Sequence, residues 1–130
     1  MMNQKVIVIT GSSSGIGEVL ANYFVKKGHI VYGLSRTSKD KSEFNHIPTD
    51  VTNKQNVMSS IQQVINESKR IDVLINNAGI GMLGAIEDVS KEDFDKLINV
   101  NVYGVIYTMQ AVLPLMRQQK FGHILNVSSI

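Results

Sequence analysis

Residues 5–17 read KVIVITGSSSGIG, a mostly apolar β-branched run followed by a turn with three glycines. The apolar run predicts a strand that is buried on both faces. A strand, a glycine-rich turn and a helix in this order predict the opening unit of an α/β fold. The helix ends at Gly28, and its apolar stripe with helical spacing consists of Ile16, Val19, Leu20, Tyr23 and Phe24.

The remaining sequence repeats this alternation of strands and helices. Further strands are predicted at residues 29–35, 46–50, 72–76 and 122–128. Pro48 indicates that the strand over residues 46–50 lies at an edge of the sheet. Such alternation predicts an α/β fold with a doubly wound parallel sheet, right-handed crossovers and helices on both faces. A sheet of this kind binds its ligand at the carboxyl ends of the strands, where the strand order reverses.

Two helix starts are predicted from polar residues ahead of apolar stripes. Thr52 and Gln55 form a capping-box pair at the start of the second helix. Ser90 precedes a long helix that runs through residues 93–118 and is expected to bend at Pro114.

The composition excludes several classes of protein. The chain has 130 residues, 43% hydrophobic and 18% charged, which is typical of a globular domain and not of a disordered segment. The net charge of +2 is dispersed, so no nucleic-acid or membrane-surface partner is expected. The chain has no cysteine, and its three histidines are scattered, so no metal site is expected. With no signal peptide or membrane-spanning apolar run, we expect a soluble, cytoplasmic protein.

The three glycines have distinct predicted roles in the turn between the first strand and the first helix. Gly11 permits a tight turn, Gly15 lets a diphosphate approach the backbone, and Gly17 lets the helix lie close to the strand. The amides at the helix start and the hydroxyl groups of Ser12–Ser14 add hydrogen-bond donors. A flexible turn of small residues is the alternative, and a P-loop is disfavoured because no Gly-Lys-Ser/Thr sequence ends the turn.

The end of the second strand bears on the choice between the two nicotinamide dinucleotides. An acid at this position binds the ribose 2′-hydroxyl of NAD(H), whereas this chain has Arg36. Arg36 can pair with a 2′-phosphate, to which Ser12 and Thr37 could add hydrogen bonds, so NADP(H) is favoured over NAD(H). Alternatively, Arg36 is a solvated loop charge, and the nearby Asp40 complicates the choice.

Two motifs that occur in order carry a family resemblance. TGSSSGIG at residues 10–17 and NNAG at residues 76–79 together resemble the short-chain dehydrogenase/reductase family over essentially all of this chain, and over the front half to two-thirds of a typical member. The resemblance implies that residues 1–130 are a Rossmann-type NAD(P)-binding domain, truncated at the C-terminal side. Asp50 and Val51 would meet the adenine ring. The full set of implied cofactor-binding residues is Gly11, Ser12, Ser14, Gly15, Ile16, Gly17, Arg36, Asp50, Val51, Asn77, Ala78 and Gly79.

The same resemblance implies two catalytic residues, Asn101 and Ser129, with Ser129 bonding the carbonyl or hydroxyl oxygen of the substrate. In the family a Tyr-x-x-x-Lys motif follows this serine; the tyrosine passes the proton, and the lysine lowers its pKa and holds the nicotinamide ribose. The sequence reaches Ile130 without that motif. We expect that none of the upstream tyrosines is followed by a lysine at the spacing of this motif. The upstream tyrosines are Tyr23, Tyr32, Tyr103 and Tyr107.

The residues around Asn101 on the long helix bear on its role independently of the resemblance. Asn101 falls within an apolar stripe of the long helix, so a buried amide is expected, and a purely structural role bonded to backbone is the alternative. The stripe consists of Phe94, Leu97, Ile98, Val105, Met109 and Val112. The opposite face is also apolar, through Val102, Tyr103, Ile106 and Tyr107. Cover for that face, and the resemblance, both favour a homodimer or homotetramer through the helix over residues 93–118.

Three functions are compatible with these observations. The first is an NADP(H)-dependent oxidoreductase that transfers a hydride between the nicotinamide and a small-molecule carbonyl or alcohol substrate, with residues 1–130 inactive by themselves. The second is a non-catalytic dinucleotide-binding module or sensor. The third is a fragment that does not fold stably, because an apolar sheet edge and helix faces are exposed.

Overall fold

A computed structural model describes residues 3–38 and 42–129 and shows alternating strands and helices. In this part of the chain the strands are β1 (Val6–Thr10), β2 (Ile30–Ser35), β3 (Asn45–Pro48), β4 (Val73–Asn76) and β5 (His123–Asn126). The α-helices are α1 (Gly15–Lys26), α2 (Lys54–Ser68), α3 (Lys91–Ile98) and α4 (Gly104–Gln119). Two shorter segments are a 3-10 turn at Ile86–Asp88 and a π-helical turn at Asn99–Tyr103.

The strands form one parallel sheet in the order β3-β2-β1-β4-β5. In its register, Ile9 of β1 pairs with Gly33 of β2 on one side and with Ile75 of β4 on the other. The chain therefore adds two strands on one side of β1 and then returns to add β4 and β5 on the opposite side. This reversal confirms the predicted doubly wound sheet, and β3 is an edge strand, as Pro48 predicted.

Alternate residues of β1 point to opposite layers of the core, as the period of a strand requires. Val6 and Val8 lie in a cluster with buried residues of α2 and α4. Ile7 and Ile9 lie in a second cluster with Ala21 of α1. Helices therefore cover both faces of the sheet, which explains why residues 6–9 are continuously apolar.

The inward face of α1 differs from the predicted stripe. Gly17 and Ala21 are buried, while Ile16, Val19 and Tyr23 are 63%, 67% and 52% exposed. The two other members of the stripe do pack against the core. The small residues let the helix approach the sheet along their own line, so the true face is rotated from the one that apolar spacing alone predicts.

The second helix does not begin with the predicted capping box. Its N-cap is Asn53, whose Oδ1 accepts a hydrogen bond from the backbone N–H of Asn56 over 3.0 Å. Thr52 instead donates through its N–H and its hydroxyl to Oδ1 of Asp50, over 2.9 and 2.7 Å. The Thr52–Gln55 prediction is therefore wrong, because Asp50 engages the threonine and Asn53 is an equally good cap.

The predicted long helix over residues 93–118 is divided into α3 and α4 by the π-helical turn. The backbone stays right-handed helical from Ile98 through Asn99 to Gly104, and α4 continues through Pro114. The π-helical turn also shifts the side-chain phase, since its hydrogen bonds span five residues instead of four. The buried residues of α4 are Gly104, Thr108, Val112 and Met116. Of the predicted stripe, Val112 is therefore confirmed as buried and Met109 packs against the core, while Val105 lies beside the buried Gly104. Within residues 3–38 and 42–129, no helix has the length and apolar character needed to cross a membrane.

Candidate functional site

A groove of about 710 Å³ opens at the carboxyl ends of β1, β2 and β4, where the strand order reverses. Eight of the predicted cofactor residues line it: Gly11, Ser14, Arg36, Asp50, Val51, Asn77, Ala78 and Gly79. The other four lie outside this lining: Ser12, Gly15, Ile16 and Gly17. Lys96, Asn99 and Val100 also line the groove. Sequence reasoning missed these three because α3 and the turn after it read as parts of one amphipathic helix.

Two glycines of the turn after β1 have backbone conformations that bear on the groove: Gly11 lines it, and Gly15 lies just outside its lining. Gly11 has a φ of 67° and Gly15 a φ of 55°, conformations that residues with side chains rarely adopt. A Cβ added to Gly11 would come within 2.9 Å of the Cα of Ala78, in the loop after β4. A Cβ added to Gly15 would meet nothing within 4 Å. Gly11 is therefore required by the close approach of two loops, while Gly15 leaves open space beside its backbone.

Asn77 joins the loop after β4 to the glycine turn. Its Nδ2 donates to the carbonyl oxygen of Gly11 over 3.2 Å, and a Cβ on Gly17 would collide with both of these groups. The buried hydroxyl of Thr10 accepts hydrogen bonds from the backbone N–H groups of Asn77 and Ala78, over 3.0 and 2.9 Å. The two walls of the groove are therefore one hydrogen-bonded unit, and Gly17 lets α1 approach that unit.

Ser12 lies beneath the groove and not in it. Its side chain is fully buried, and a Cβ on Gly33 of β2 would collide with it. Its Oγ has no hydrogen-bond partner among residues 3–38 and 42–129. Ser13 lines the groove instead. The tight contact with β2 turns this side chain away from the groove, toward a smaller cavity that Thr37 also lines, and its bond to a 2′-phosphate stays a prediction.

The groove carries both signs of charge. Among residues 3–38 and 42–129, Arg36, just after β2, and Lys96 of α3 are the cationic residues of the lining, and Asp50 is the acidic one. The ammonium of Lys96 lies 3.8 Å from the carboxylate of Glu92, and both side chains are well exposed. Asp40, which complicated the prediction for Arg36, lies outside the described residues.

Asp50 and Val51 are held by contacts on both sides. The backbone N–H of Asp50 donates to Oδ1 of Asn56 over 2.7 Å, and its own carboxylate binds Thr52 as described above. Val51 is nearly buried against Gly104, where an added Cβ would come within 2.9 Å of Val51 Cγ2. Gly104 thus allows Val51 to form an apolar wall of the groove, a role that its position in a helix gave no reason to expect.

Asn101 lies in the π-helical turn, and its side-chain amide binds the backbone of one residue, Ile80. Nδ2 donates to the carbonyl oxygen of Ile80 over 2.8 Å, and Oδ1 accepts from its N–H over 2.9 Å. Asn101 is exposed, so the predicted burial within the apolar stripe is wrong, although the amide does pair with backbone. Because Ile80 lines the groove, this pairing fixes one edge of it.

Ser129 follows β5 and is exposed. Just before it, the backbone N–H of Val127 donates to the carbonyl oxygen of Asn76 over 2.9 Å, which keeps this segment beside the carboxyl end of β4. Asn101 reaches the same end of β4 through Ile80. The two predicted catalytic residues therefore come to one end of the sheet from different elements.

A buried polar chain beneath this end of the sheet links α4, β4 and β5. The hydroxyl of Thr108 donates to Oδ1 of Asn76 over 2.5 Å, and Nδ2 of Asn76 donates to Oδ1 of Asn126 over 2.9 Å. Thr108 and Asn76 are buried, where unpaired polar groups would be costly. The chain positions β5 and hence the segment that leads to Ser129. An asparagine ending an apolar strand was the only sequence signal for it.

Tyr23 and Lys27 do have the spacing of a Tyr-x-x-x-Lys motif, which corrects the expectation that no upstream tyrosine has it. The ammonium of Lys27 lies 5.5 Å from the centroid of the Tyr23 ring. Both residues are at the C-terminal end of α1, and α1 runs back from the carboxyl to the amino ends of the strands. The pair is therefore at the opposite end of the sheet from the groove and cannot act on a ligand there.

Comparison with a known family and a curated relative agrees with this geometry. The family model for short chain dehydrogenases matches residues 5–130. The chain is 44% identical over 130 residues to a 3-ketodihydrosphingosine reductase of Bacteroides thetaiotaomicron, a match that covers 99% of this chain and 48% of that protein. The chain thus spans about half the length of this relative.

Solved structures give the same picture. An aldohexose dehydrogenase of Thermoplasma acidophilum, solved in ligand-free form, matches with a TM-score of 0.93 and 38% identity, covering 97% of this chain and 49% of that one. ElxO with NADP bound matches with a TM-score of 0.90 and 31% identity, covering 97% of this chain and 56% of that one.

Proposed function

The chain belongs to the short chain dehydrogenase family, and from this premise we propose that it is an NADP(H)-dependent oxidoreductase acting on a small-molecule carbonyl or alcohol. The observation that carries the proposal is the groove at the strand-order reversal. Thr10 and Asn77 tie its two walls together, so the groove is preorganised.

The residues present fit a dinucleotide. The diphosphate would rest at the glycine turn, beside the open space at Gly15 and the first turn of α1. Ser14, the N-cap of α1, makes no side-chain capping bond with the described residues, so first-turn N–H groups are left for an anion. Asp50 and the apolar wall of Val51 would meet the adenine, and residues 77–79 would lie along the cofactor.

The preference for NADP(H) rests on the residues that follow β2. Arg36 offers a guanidinium that suits a phosphate, and the hydroxyl groups of Thr37 and Ser13 line the same groove. The one carboxylate of the described lining, Asp50, is engaged with Thr52. The structural neighbour ElxO, solved with NADP bound, supports this preference.

The chain's own residues would hold and orient the reactants. When bound, the nicotinamide supplies the hydride chemistry. Asn101 would keep Ile80 at the edge of the groove, and Ser129 would donate a hydrogen bond to the substrate oxygen. Within the described residues no tyrosine lines the groove, so turnover is proposed for a protein of the relatives' length and not for residues 1–130 alone.

The carbonyl or alcohol class of substrate is supported by the names of similar proteins. One is a reductase of 3-ketodihydrosphingosine and another a dehydrogenase of aldohexose. Their carbon skeletons differ, so they support the reaction class and leave the substrate to be found by screening.

We further propose that the protein is cytoplasmic and forms a homodimer or homotetramer through the helical region of residues 93–118. Val102 and Tyr103 are 43% and 46% exposed there, and Leu113 lies on the surface as well. Light scattering after size-exclusion chromatography would test the assembly; a monomer at natural length would contradict it.

NADPH fluorescence titration, followed by NADPH oxidation with a panel of ketones and aldehydes, tests the proposed activity. Saturable binding is expected for residues 1–130 and for the gene product at its natural length, with turnover for the latter alone. Failure of the natural-length protein to bind NADPH would contradict the proposal. Binding without turnover at that length would favour the non-catalytic dinucleotide-binding module. Turnover by residues 1–130 would contradict the claim that these residues lack the proton donor.

A further inference from the structure

A hydrogen-bonded chain connects β3 to the turn that carries Arg36. The Oγ of Ser35, the last residue of β2, donates to the carbonyl oxygen of Thr37 over 2.7 Å. Nε2 of His46, on β3, lies 2.9 Å from Ser35 Oγ and 3.2 Å from the Ser35 carbonyl oxygen. Since the hydroxyl proton of Ser35 is used by Thr37, the imidazole must be the donor, with its proton on Nε2.

This chain ends at the groove. Ser35, Arg36 and Thr37 all line the groove, so the hydrogen bond from Ser35 to the Thr37 carbonyl lies within its wall. Thr37 and Ser13 also border a second cavity of about 150 Å³ behind the wall, and His46 lines that cavity. His46 therefore supports the Arg36–Thr37 turn from behind, without belonging to the groove itself.

We propose that His46, acting through Ser35, is a positioning residue that sets the discrimination between NADP(H) and NAD(H). The inference rests on the proposed NADP(H) preference. Arg36 is an exposed side chain just past the last paired residue of β2, so its backbone must be held for the guanidinium to meet a 2′-phosphate. The His46–Ser35–Thr37 chain provides this hold, and a preorganised turn loses less entropy on binding the phosphate.

The test compares two probes that differ only in the 2′-phosphate, adenosine 2′,5′-bisphosphate and adenosine 5′-monophosphate. Calorimetric titrations would use the natural-length gene product with His46→Ala, Ser35→Ala and His46→Gln, where the glutamine retains an N–H donor. His29→Ala is the matched control, because the Nδ1 of His29 accepts a hydrogen bond from the N–H of Lys5 at the opposite end of the sheet.

Loss of one hydrogen bond in the chain should weaken binding of the bisphosphate by about fivefold while changing that of the monophosphate by less than about twofold. His46→Gln should recover most of the loss, and His29→Ala should leave the ratio of the two affinities unchanged. Melting temperatures identify folded variants; Ser35→Ala, a smaller change, keeps the test decisive if His46→Ala does not fold.

A wild-type preference for the bisphosphate that persists in both His46→Ala and Ser35→Ala would overturn this inference and leave the proposed cofactor in place. A wild-type protein with no such preference would overturn both. An equal loss of affinity for the two probes would assign His46 a general structural role and overturn the inference alone.

Discussion

The side-chain amide of Asn101 and the backbone of Ile80 form two hydrogen bonds in opposite directions, over 2.8 and 2.9 Å. At the far end of α4, Gln119 binds Ile71 in the same way, with Nε2 donating over 2.8 Å and Oε1 accepting over 3.0 Å. Ile71 precedes β4 and Ile80 follows it. The helical segment from Asn101 to Gln119 is thus hydrogen-bonded to the chain before and after β4. Of these two contacts, only the one between Asn101 and Ile80 borders the groove.

Substitutions of Asn101 and Gln119 should have similar effects on the free energy of unfolding but different effects on cofactor affinity. We expect Asn101→Ala and Gln119→Ala each to lower the free energy of unfolding by about 1 kcal/mol, measured by urea denaturation. Only Asn101→Ala should also weaken NADPH binding, by about fivefold, because Ile80 loses its fixed position in the groove wall. Equal effects of both variants on NADPH affinity would contradict a local role for Asn101.

Gly15 offers a direct test of the diphosphate position. Gly15→Val and Gly28→Val both place a side chain at a positive φ, of 55° and 89°, at opposite ends of α1. Each should cost about 1–2 kcal/mol of stability. Only Gly15→Val should reduce NADPH affinity in a fluorescence titration, by about tenfold or more, because it also fills the space beside the backbone amides. Retained NADPH affinity in Gly15→Val would place the diphosphate elsewhere.

The proposed contact between Arg36 and a 2′-phosphate predicts a loss of affinity for NADPH that does not extend to NADH. Arg36→Gln should weaken binding of NADPH by about tenfold to a hundredfold, the loss of a charge-assisted contact, and leave binding of NADH nearly unchanged. Lys96→Gln removes the second cation that lines the groove in the described part of the chain, and it serves as the control for general electrostatic attraction. The same loss of NADPH affinity in both variants would show that net charge, not a contact at Arg36, sets the preference.

The fold was predictable because buried strands and glycine positions are strong local signals. The apolar run of residues 6–9 needs cover on two faces, and the alternation of strands and helices along the chain predicts that helices provide it on both sides of the sheet. The positive φ at Gly11 likewise agrees with the tight turn that the glycine pattern predicts.

What the sequence could not show depends on contacts between distant residues. Ser12 turns inward because Gly33, on a neighbouring strand, leaves room for it. Asn101 is exposed because neither α3 nor the π-helical turn has a buried residue in the described part of the chain, which apolar spacing alone does not show. The chain from His46 to Thr37 joins residues of two strands and a turn. In each case the identity of one residue is explained only by a partner that the fold brings near.

Tyr32 is expected to make the stability of the folded protein depend on pH in the alkaline range. Its side chain is buried, and its hydroxyl lies 2.7 Å from Oγ of Ser68. Burial raises the pKa of Tyr32 above its ordinary value; the Ser68 hydrogen bond acts in the opposite direction, and Glu67 raises the pKa further. Because the folded pKa exceeds the unfolded one, Tyr32 contributes stability that is complete below a pH of about 10 and is lost as the pH rises through the folded value.

Tyr32→Phe should therefore lower the free energy of unfolding by about 1 kcal/mol at neutral pH, where the hydroxyl bond is intact in the wild type. Above a pH of about 10 the difference should shrink, since the wild-type unfolded state gains by ionising while the phenylalanine variant has no such proton. Urea denaturation at a series of pH values measures this difference. Tyr103→Phe, at a side chain that is 46% exposed, is the control for the removal of a tyrosine hydroxyl. A Tyr32→Phe difference that stays constant across the alkaline range would contradict a raised pKa in the folded protein.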